Sequence, residues 1–339
     1  MKILVTGTAG FIGYHLAKRL VEENYEVVGI DNINDYYDVE LKYARLADSG
    51  IAKQEIKPGV AVKSSRSFLY RFIQADLADK DFMDRLFREE QFDLVCNLAA
   101  QAGVRYSIKN PYAYVQSNVV GFLNLLEACR HHAVKRLVYA SSSSIYGMNK
   151  KVPFSEEDRT DTPESLYAAT KKSDELMAYT YSKLYGLETI GLRLFTVYGP
   201  WGRPDMAPYL FLDSILHDRE IRVFNHGDLL RDFTYVDDIV SGWCKVIDSP
   251  LSTESLPYHI YNVGNSSPIK LMDFIHVIEQ CAGKEAKKHF EGMQPGDVYC
   301  TYADTSRLEK DFGYKPSTTL ESGIRRFYEW YIDYQSKIG

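Results

Sequence analysis

The chain has no paired or clustered cysteines: Cys96, Cys129, Cys244, Cys281 and Cys300 are odd in number, widely scattered and free of any C-x-x-C or Cys/His ligand pattern. That spacing argues against a disulfide framework and against a metal centre, so reduced thiols and no metal are expected. Also missing is any apolar run approaching the ~20 residues that span a bilayer. The sequence enters strand-like Met1-Lys-Ile-Leu-Val-Thr at once, without the charged and apolar regions of a signal peptide. The expected compartment is the cytoplasm. Charge of one sign is lacking too, since 40 Lys and Arg face 46 Asp and Glu, for a net −6, with no basic block. Nucleic acid and anionic membrane are therefore not expected as partners.

What is present is ordinary globular material: 339 residues, 45% apolar and 25% charged. That length suits a large α/β domain with a smaller appended lobe. The first half alternates short β-branched runs with amphipathic helical stretches. Lys2 to Thr6, Glu26 to Ile30, Tyr70 to Gln74, Asp93 to Asn97 and Lys135 to Ala140 read as strands, and Glu188 to Leu194 as a sixth. Such alternation predicts a parallel, doubly wound sheet. The stretch from Asp48 to Ser67, rich in Lys, Ser, Gly and Pro, reads as a surface insertion. From Gly199 the texture changes, with prolines at 200, 204 and 208 and short strands (Ile221 to Asn225, His259 to Val263) among helices such as Leu271 to Ala282. The expected division is a nucleotide-binding domain over residues 1–198 and a smaller α/β lobe over 199–339, with part of 232–265 packing back on the sheet.

Gly7-Thr-Ala-Gly10-Phe11-Ile12-Gly13 lies between the first strand and the first helix, where a dinucleotide fold needs glycine. Glycines there allow a tight turn and close backbone approach to a pyrophosphate, and the helix N-terminus supplies oriented N–H groups. The spacing is GxxGxxG. Ile30-Asp31-Asn32 ends the second strand eighteen residues past Gly13. A carboxylate there accepts hydrogen bonds from both adenosine ribose hydroxyls and repels a 2′-phosphate, which favours NAD over NADP. Asp76, with Leu77 beside it, follows the third strand as a candidate for the adenine edge. Leu98-Ala99-Ala100 after the fourth strand offers small residues and backbone beside the cofactor.

A second constellation follows. Ala140-Ser141-Ser142-Ser143-Ser144-Ile-Tyr146-Gly147 comes after the fifth strand, on the edge where doubly wound sheets place ligands. About two dozen residues on is Tyr167-Ala-Ala-Thr-Lys171. On a helix, i and i+4 share one face, so the phenol and the ammonium can share one site. A lysine beside a tyrosine favours the phenolate, which a general base at neutral pH requires. A serine hydroxyl can meet the same substrate oxygen.

With these elements in order, the chain resembles the extended short-chain dehydrogenase/reductases, a Rossmann-type superfamily, over nearly its whole length. Within that group it is most similar to the nucleotide-sugar 4-epimerases, and specifically to UDP-glucuronate 4-epimerases. The residues behind the narrower likeness are Asp31-Asn-Ile-Asn-Asp-Tyr-Tyr-Asp38 with Leu41-Lys42, Phe195-Thr-Val-Tyr-Gly-Pro200, Arg203-Pro-Asp-Met-Ala207 and Gln294-Pro-Gly-Asp-Val298.

The resemblance implies a tightly bound NAD and a transient 4-keto sugar, with UDP-glucuronate and UDP-galacturonate interconverted. It implies that Tyr167 removes the O4 proton, that Ser142 bridges O4, and that Lys171 holds the nicotinamide ribose and tunes Tyr167. It places Asn118 beside the cofactor, Thr196 on the sugar, Arg231 on the diphosphate, Asp297 on the nucleotide ribose and Val223-Phe224 along the uracil. Two departures from galactose-type epimerases stand out: Gln294 replaces a second phosphate-binding arginine, leaving that charge to Arg203 or Arg307, and Thr301 replaces a bulky tyrosine. A carboxylate at C6 is β to a C4 ketone and can leave as CO₂. Ser143, Ser144, Thr196 and Arg203 are the polar groups expected to hold it out of alignment. UDP-N-acetylhexosamine 4-epimerases and UDP-glucuronate decarboxylases share the scaffold and remain alternatives, and an inactive NAD-binding regulator is the reading of a different class. The resemblance also implies a homodimer built on the helix of Leu166 to Leu184 and that of Tyr114 to His131.

Overall fold

The computed structural model describes residues 1–294 and 298–338. The chain forms two compact units: Met1–Gly147, Arg159–Arg193 and Trp243–Tyr261 make one, and Met148–Asp158, Leu194–Gly242 and Asn262–Gly339 make the other. Among the described residues, no helix is long and apolar enough to cross a membrane.

The first unit is built on a twisted sheet whose strands include β1 (Lys2–Thr6), β2 (Glu26–Asp31), β3 (Ala61–Lys63), β4 (Tyr70–Gln74), β5 (Leu94–Asn97), β6 (Arg136–Ser142) and β7 (Glu188–Leu194). With Tyr258–Val263 beyond β7, the order is Tyr258–Val263, β7, β6, β5, β1, β2, β4, β3. β1 pairs in parallel with both β2 and β5, while the edge strand β3 runs antiparallel to β4. β1 and β5 read Ile-Leu-Val and Leu-Val-Cys because parallel strands are covered on both faces, and Ile3, Leu4, Val5, Val95 and Cys96 are fully buried. The insertion after Asp48 contributes the β3 edge and a short 3₁₀ turn at Lys53–Glu55.

From β1 the chain winds outward through β2 and β4, then returns to add β5, β6 and β7 on the other side. The reversal falls between β1 and β5, whose C-terminal ends are the expected ligand position in such a sheet. Helices α1 (Phe11–Glu22), α2 (Val39–Asp48) and α3 (Lys80–Glu90) connect the first strands. A 20-residue helix, Leu166–Tyr185, lies between β6 and β7. Ser165 caps it, accepting from Ala168 N at 3.1 Å, and Gly186 ends it in the left-handed conformation at φ +68°.

In the second unit, strand Thr196–Tyr198 pairs in parallel with Phe233–Tyr235, and Glu220–Val223 with Lys287–Phe290. Leu230–Arg231 pairs antiparallel with Ile269–Lys270. Asp232, fully buried, ties these pieces together. Its carboxylate accepts from the backbone N–H groups of Asn265 (2.7 Å), Ser266 (3.1 Å) and Ala303 (3.0 Å), so its charge is met by amide dipoles.

Candidate functional site

The glycine turn after β1 is enforced by close approach. Gly7 has φ +77°, its N–H donates to Ile30 O at 2.7 Å, and a Cβ on it would stand 2.8 Å from Ala99 N. A Cβ on Gly13 would overlap the Gly7 carbonyl oxygen. Any side chain at either position would push the turn off the sheet. Gly10 caps α1 without a side-chain hydrogen bond, and the first helical turn carries no acidic residue. The helix N-terminus is therefore left with bare N–H groups and a positive dipole end.

Asp31 stands beside this turn. It is buried, with Oδ2 accepting from Ala9 N at 3.1 Å and Oδ1 from Ile33 N at 2.8 Å, so both oxygens are oriented by backbone. Asn32 donates to Asp76 Oδ2 at 3.0 Å, and Asp76 Oδ1 accepts from Ala78 N at 2.9 Å. The two polar strand ends are thus joined. Leu77 is buried beneath Gly121, whose added Cβ would meet Leu77 Cβ at 2.9 Å. Phe11 is buried, whereas Ile12, Leu98, Ala99 and Ala100 are half-buried. A bare anion-binding helix end, a backbone surface that a Cβ would fill and a fixed carboxylate eighteen residues past Gly13 fit a dinucleotide.

Sequence reading missed several groups that build this cradle. Thr6 and Asn97 are paired in register at the ends of β1 and β5, and Thr6 Oγ1 donates to Asn97 Oδ1 at 2.6 Å while accepting from Leu98 N and Ala99 N at 3.1 and 3.0 Å. The Leu98-Ala99 backbone is fixed by that hydroxyl. Arg45, buried on α2, donates to Ala9 O at 2.8 Å and to the Tyr37 hydroxyl at 2.7 Å. Lys42, one turn earlier, donates to Asn34 O at 2.7 Å. Lys42 belongs to the Leu41-Lys42 pair that carries part of the family likeness, whereas the only sequence signal for Arg45 was the Asn-Asp-Tyr-Tyr-Asp stretch preceding it.

Asn118 sits in a π-helical segment, Val115–Val120. Its amide is buried and engaged: Oδ1 accepts from Gln101 N at 2.8 Å, and Nδ2 donates to Gln101 O at 3.1 Å and Thr170 Oγ1 at 3.0 Å. It pins the loop after β5 to the helix that carries Tyr167. The π-helical turn that carries it is wider than an α-helical one, a distortion often found at functional sites.

The Tyr167 helix meets the serine run through Lys171. Its ammonium, buried, donates to Ala140 O in β6 at 3.0 Å and to Asp174 Oδ2 at 3.1 Å. The four serines are not equivalent. Ser141 is buried and donates to Glu175 Oε1 at 2.7 Å, a structural bond. Ser142, half-buried, caps the 3₁₀ turn Ser143–Tyr146, its Oγ accepting from Ser144 N at 3.2 Å and from Ser144 Oγ at 2.9 Å. Tyr167 is half-buried, its ring edge-on to Tyr114 at 6.1 Å. Tyr114 is held by its hydroxyl on Ala102 O at 2.8 Å.

The candidate residues of the second unit divide differently. Thr196 N donates to Asp232 O at 3.3 Å, whereas Arg231 Nη1 donates to the backbone oxygens of Leu230 at 2.9 Å and Tyr299 at 3.1 Å. Arg203 forms a forked pair with Asp205, Nε to Oδ1 at 3.0 Å and Nη2 to Oδ2 at 2.5 Å. Val223 is fully buried, while Phe224 is half-buried under the Arg222 guanidinium at 5.0 Å. Asp297 lies outside the described residues.

Comparison with known proteins agrees with this geometry. The model of the NAD dependent epimerase/dehydratase family matches residues 3–264. The chain is 50% identical to protein CapI of Staphylococcus aureus, across 99% of this chain and 100% of that protein. It is 45% identical to UDP-glucuronate 4-epimerase 4 of Arabidopsis thaliana, across 98% of this chain and 76% of that one. Among solved structures it is similar to UDP-glucuronic acid 4-epimerase from Bacillus cereus in complex with UDP-glucuronic acid and NAD, with a TM-score of 0.87, 32% identity, and 98% and 100% of the two chains covered.

Proposed function

Because the chain belongs to the NAD dependent epimerase/dehydratase family, we propose that it interconverts UDP-glucuronate and UDP-galacturonate by epimerisation at C4. The hydride chemistry rests on one observation: Lys171 is buried and bonded to Ala140 O at the end of β6, which docks the Tyr167 helix against the serine run. The sugar is inferred from relatives named for UDP-glucuronate 4-epimerisation that match nearly the whole of this chain.

NAD, when bound, would supply a hydride acceptor and donor for C4, so the reaction would have no net redox change. The protein's part is binding, orientation and one proton. The turn from Gly7 to Gly13 receives the pyrophosphate on bare N–H groups, and Asp31, fixed by Ala9 and Ile33 amides, accepts from the adenosine ribose hydroxyls. Tyr167 takes the O4 proton as the C4 hydride leaves and gives it back on return. Ser142 hydrogen-bonds O4, and Lys171 supplies positive charge that favours the phenolate. Arg231 carries diphosphate charge through its planar fork.

Incubating purified protein with UDP-glucuronate and following products by NMR is the direct test. UDP-galacturonate formed without added NAD is the expected result. A pentose product with CO₂ release, or turnover of UDP-N-acetylglucosamine in place of UDP-glucuronate, would reject the assignment. Tyr167→Phe is expected to lower kcat by about 10²–10⁴-fold with NAD still bound.

A homodimer and a cytoplasmic setting complete the reading. Tyr112, Val115 and Leu123 on one side and Leu176, Tyr179 and Leu184 on the other are large apolar side chains left 41% to 84% exposed. A second copy covering this face would remove a patch that monomers rarely display. Light scattering at the mass of one chain would rule that out.

A further inference from the structure

Lys171 has a partner that the proposed reaction does not use. Asp174 follows it by three residues, so Tyr167, Lys171 and Asp174 stand at i, i+4 and i+7, one stripe of one helix. Asp174 is 1% exposed, and its Oδ2 accepts from Lys171 Nζ at 3.1 Å. Among the described residues its Oδ1 has no hydrogen-bond partner. Burial pushes this carboxyl up to about 7, the nearby Lys171 holding it back only in part and Glu175 adding to the rise. Tyr139 faces it from β6, and burial keeps that phenol far above its usual range, so it stays neutral. Arg193 from β7 is committed to Glu175. Lys171 is therefore the cation that answers Asp174, and the same ammonium is the one required beside Tyr167.

We propose that Asp174 is a positioning residue that draws the charge of Lys171 away from Tyr167, so that its ionisation sets the pH at which Tyr167 becomes a base. With the carboxyl protonated, the full ammonium field reaches the phenol. Once the proton leaves to solvent, the carboxylate offsets that field and phenolate formation moves to higher pH. A charged neighbour within about 4–6 Å alters an ionisation equilibrium by about tenfold or more.

This inference rests on Tyr167 being the base, and the test separates the two. The chain has 26 tyrosines, so phenolate absorbance of the NAD-bound enzyme is titrated as the difference between wild type and Tyr167→Phe, with and without D174N. The isosteric amide is expected to lower the midpoint by about one pH unit and to raise kcat/KM on the acid limb about tenfold. An unchanged or raised midpoint overturns the proposal, even where stability has changed, because a purely structural Asp174 would leave the phenol alone. D174S provides a second charge-free variant and should shift the midpoint in the same direction. If neither variant folds, the wild type decides: a protonated-carboxyl infrared band titrating near neutral pH together with the phenolate signal supports the relay, and its absence overturns it. A Tyr167→Phe variant that keeps full activity rejects the base itself.

Discussion

Asp174 and Glu175 are neighbours on one helix, both almost completely buried, yet their surroundings drive them in opposite directions. Glu175 accepts from Arg193 Nε at 2.9 Å, Arg193 Nη2 at 3.0 Å and Ser141 Oγ at 2.7 Å, with Lys172 Nζ at 3.4 Å. Burial would raise it, but the Arg193 hydrogen bonds and charge prevail and hold it below the usual glutamate range. Asp174 has one bond from one ammonium, and desolvation prevails. Depth is the same in both places, so completeness of hydrogen bonding decides the ionisation. A fully satisfied ion pair is a fixed structural rivet, while a half-satisfied one stays responsive near neutral pH.

The contrast breaks most severely at Arg193. Arg193→Met would leave buried Glu175 with only the more distant Lys172 as counter-charge and strip the Tyr146 hydroxyl of a 2.9 Å donor. Denaturant unfolding should show a loss of about 3–5 kcal/mol. Adding Glu175→Gln should recover a large part of it, since the stranded charge is then gone. A single variant that unfolds like wild type would mean that the pair is not the rivet described.

Asp174 gives the next largest effect and the opposite pH signature. Its folded value is raised above that of the unfolded chain, so between about pH 4 and 7 the folded state binds the extra proton. Stability from this group is present at the acid end and disappears as pH rises through 7. The stability of wild type minus that of D174N should thus fall between pH 5 and pH 8, on the order of a few kcal/mol. Glu175, lowered in the folded state, behaves conversely: its contribution is lost only as pH drops below the ordinary glutamate range. Parallel pH curves for wild type and D174N would remove the distinction between the two carboxylates.

This contrast also marks what the sequence can express. Gly7, Gly13 and Asp31 were legible because their demands are local: a turn that a Cβ would block and a strand-end carboxylate at a set distance. Strands β1, β2 and β4 to β7 were legible because short β-branched and apolar runs alternate with helical stretches along the chain. Asp174 and Glu175 look like the polar face of a solvated helix, and only the approach of β6 and β7 buries them. Likeness leads to the expectation of Asn118 beside the cofactor, but neither the π-helical turn that carries it nor its grip on Gln101 has a sequence mark. Arg203 lies in a motif expected to bind substrate charge, and Asp205, two residues on, occupies its guanidinium. Partners remote in sequence or supplied by backbone geometry were the ones that could not be read.

The serine run offers the finest test, because adjacent hydroxyls fall on either side of the same divide. Ser141→Ala removes one of the bonds to Glu175 but leaves the Arg193 fork intact, so the carboxylate remains paired and the expected cost is about 1–2 kcal/mol. Its phenolate midpoint should match wild type, because no charge near Lys171 has changed. Ser142→Ala should do the reverse, lowering kcat with little change in unfolding, since its Oγ holds only the local turn to Ser144. If Ser141→Ala shifted the phenolate midpoint as D174N does, the Glu175 and Asp174 networks would be one coupled system, and a complete set of hydrogen bonds would not insulate Glu175 from the chemistry at Tyr167.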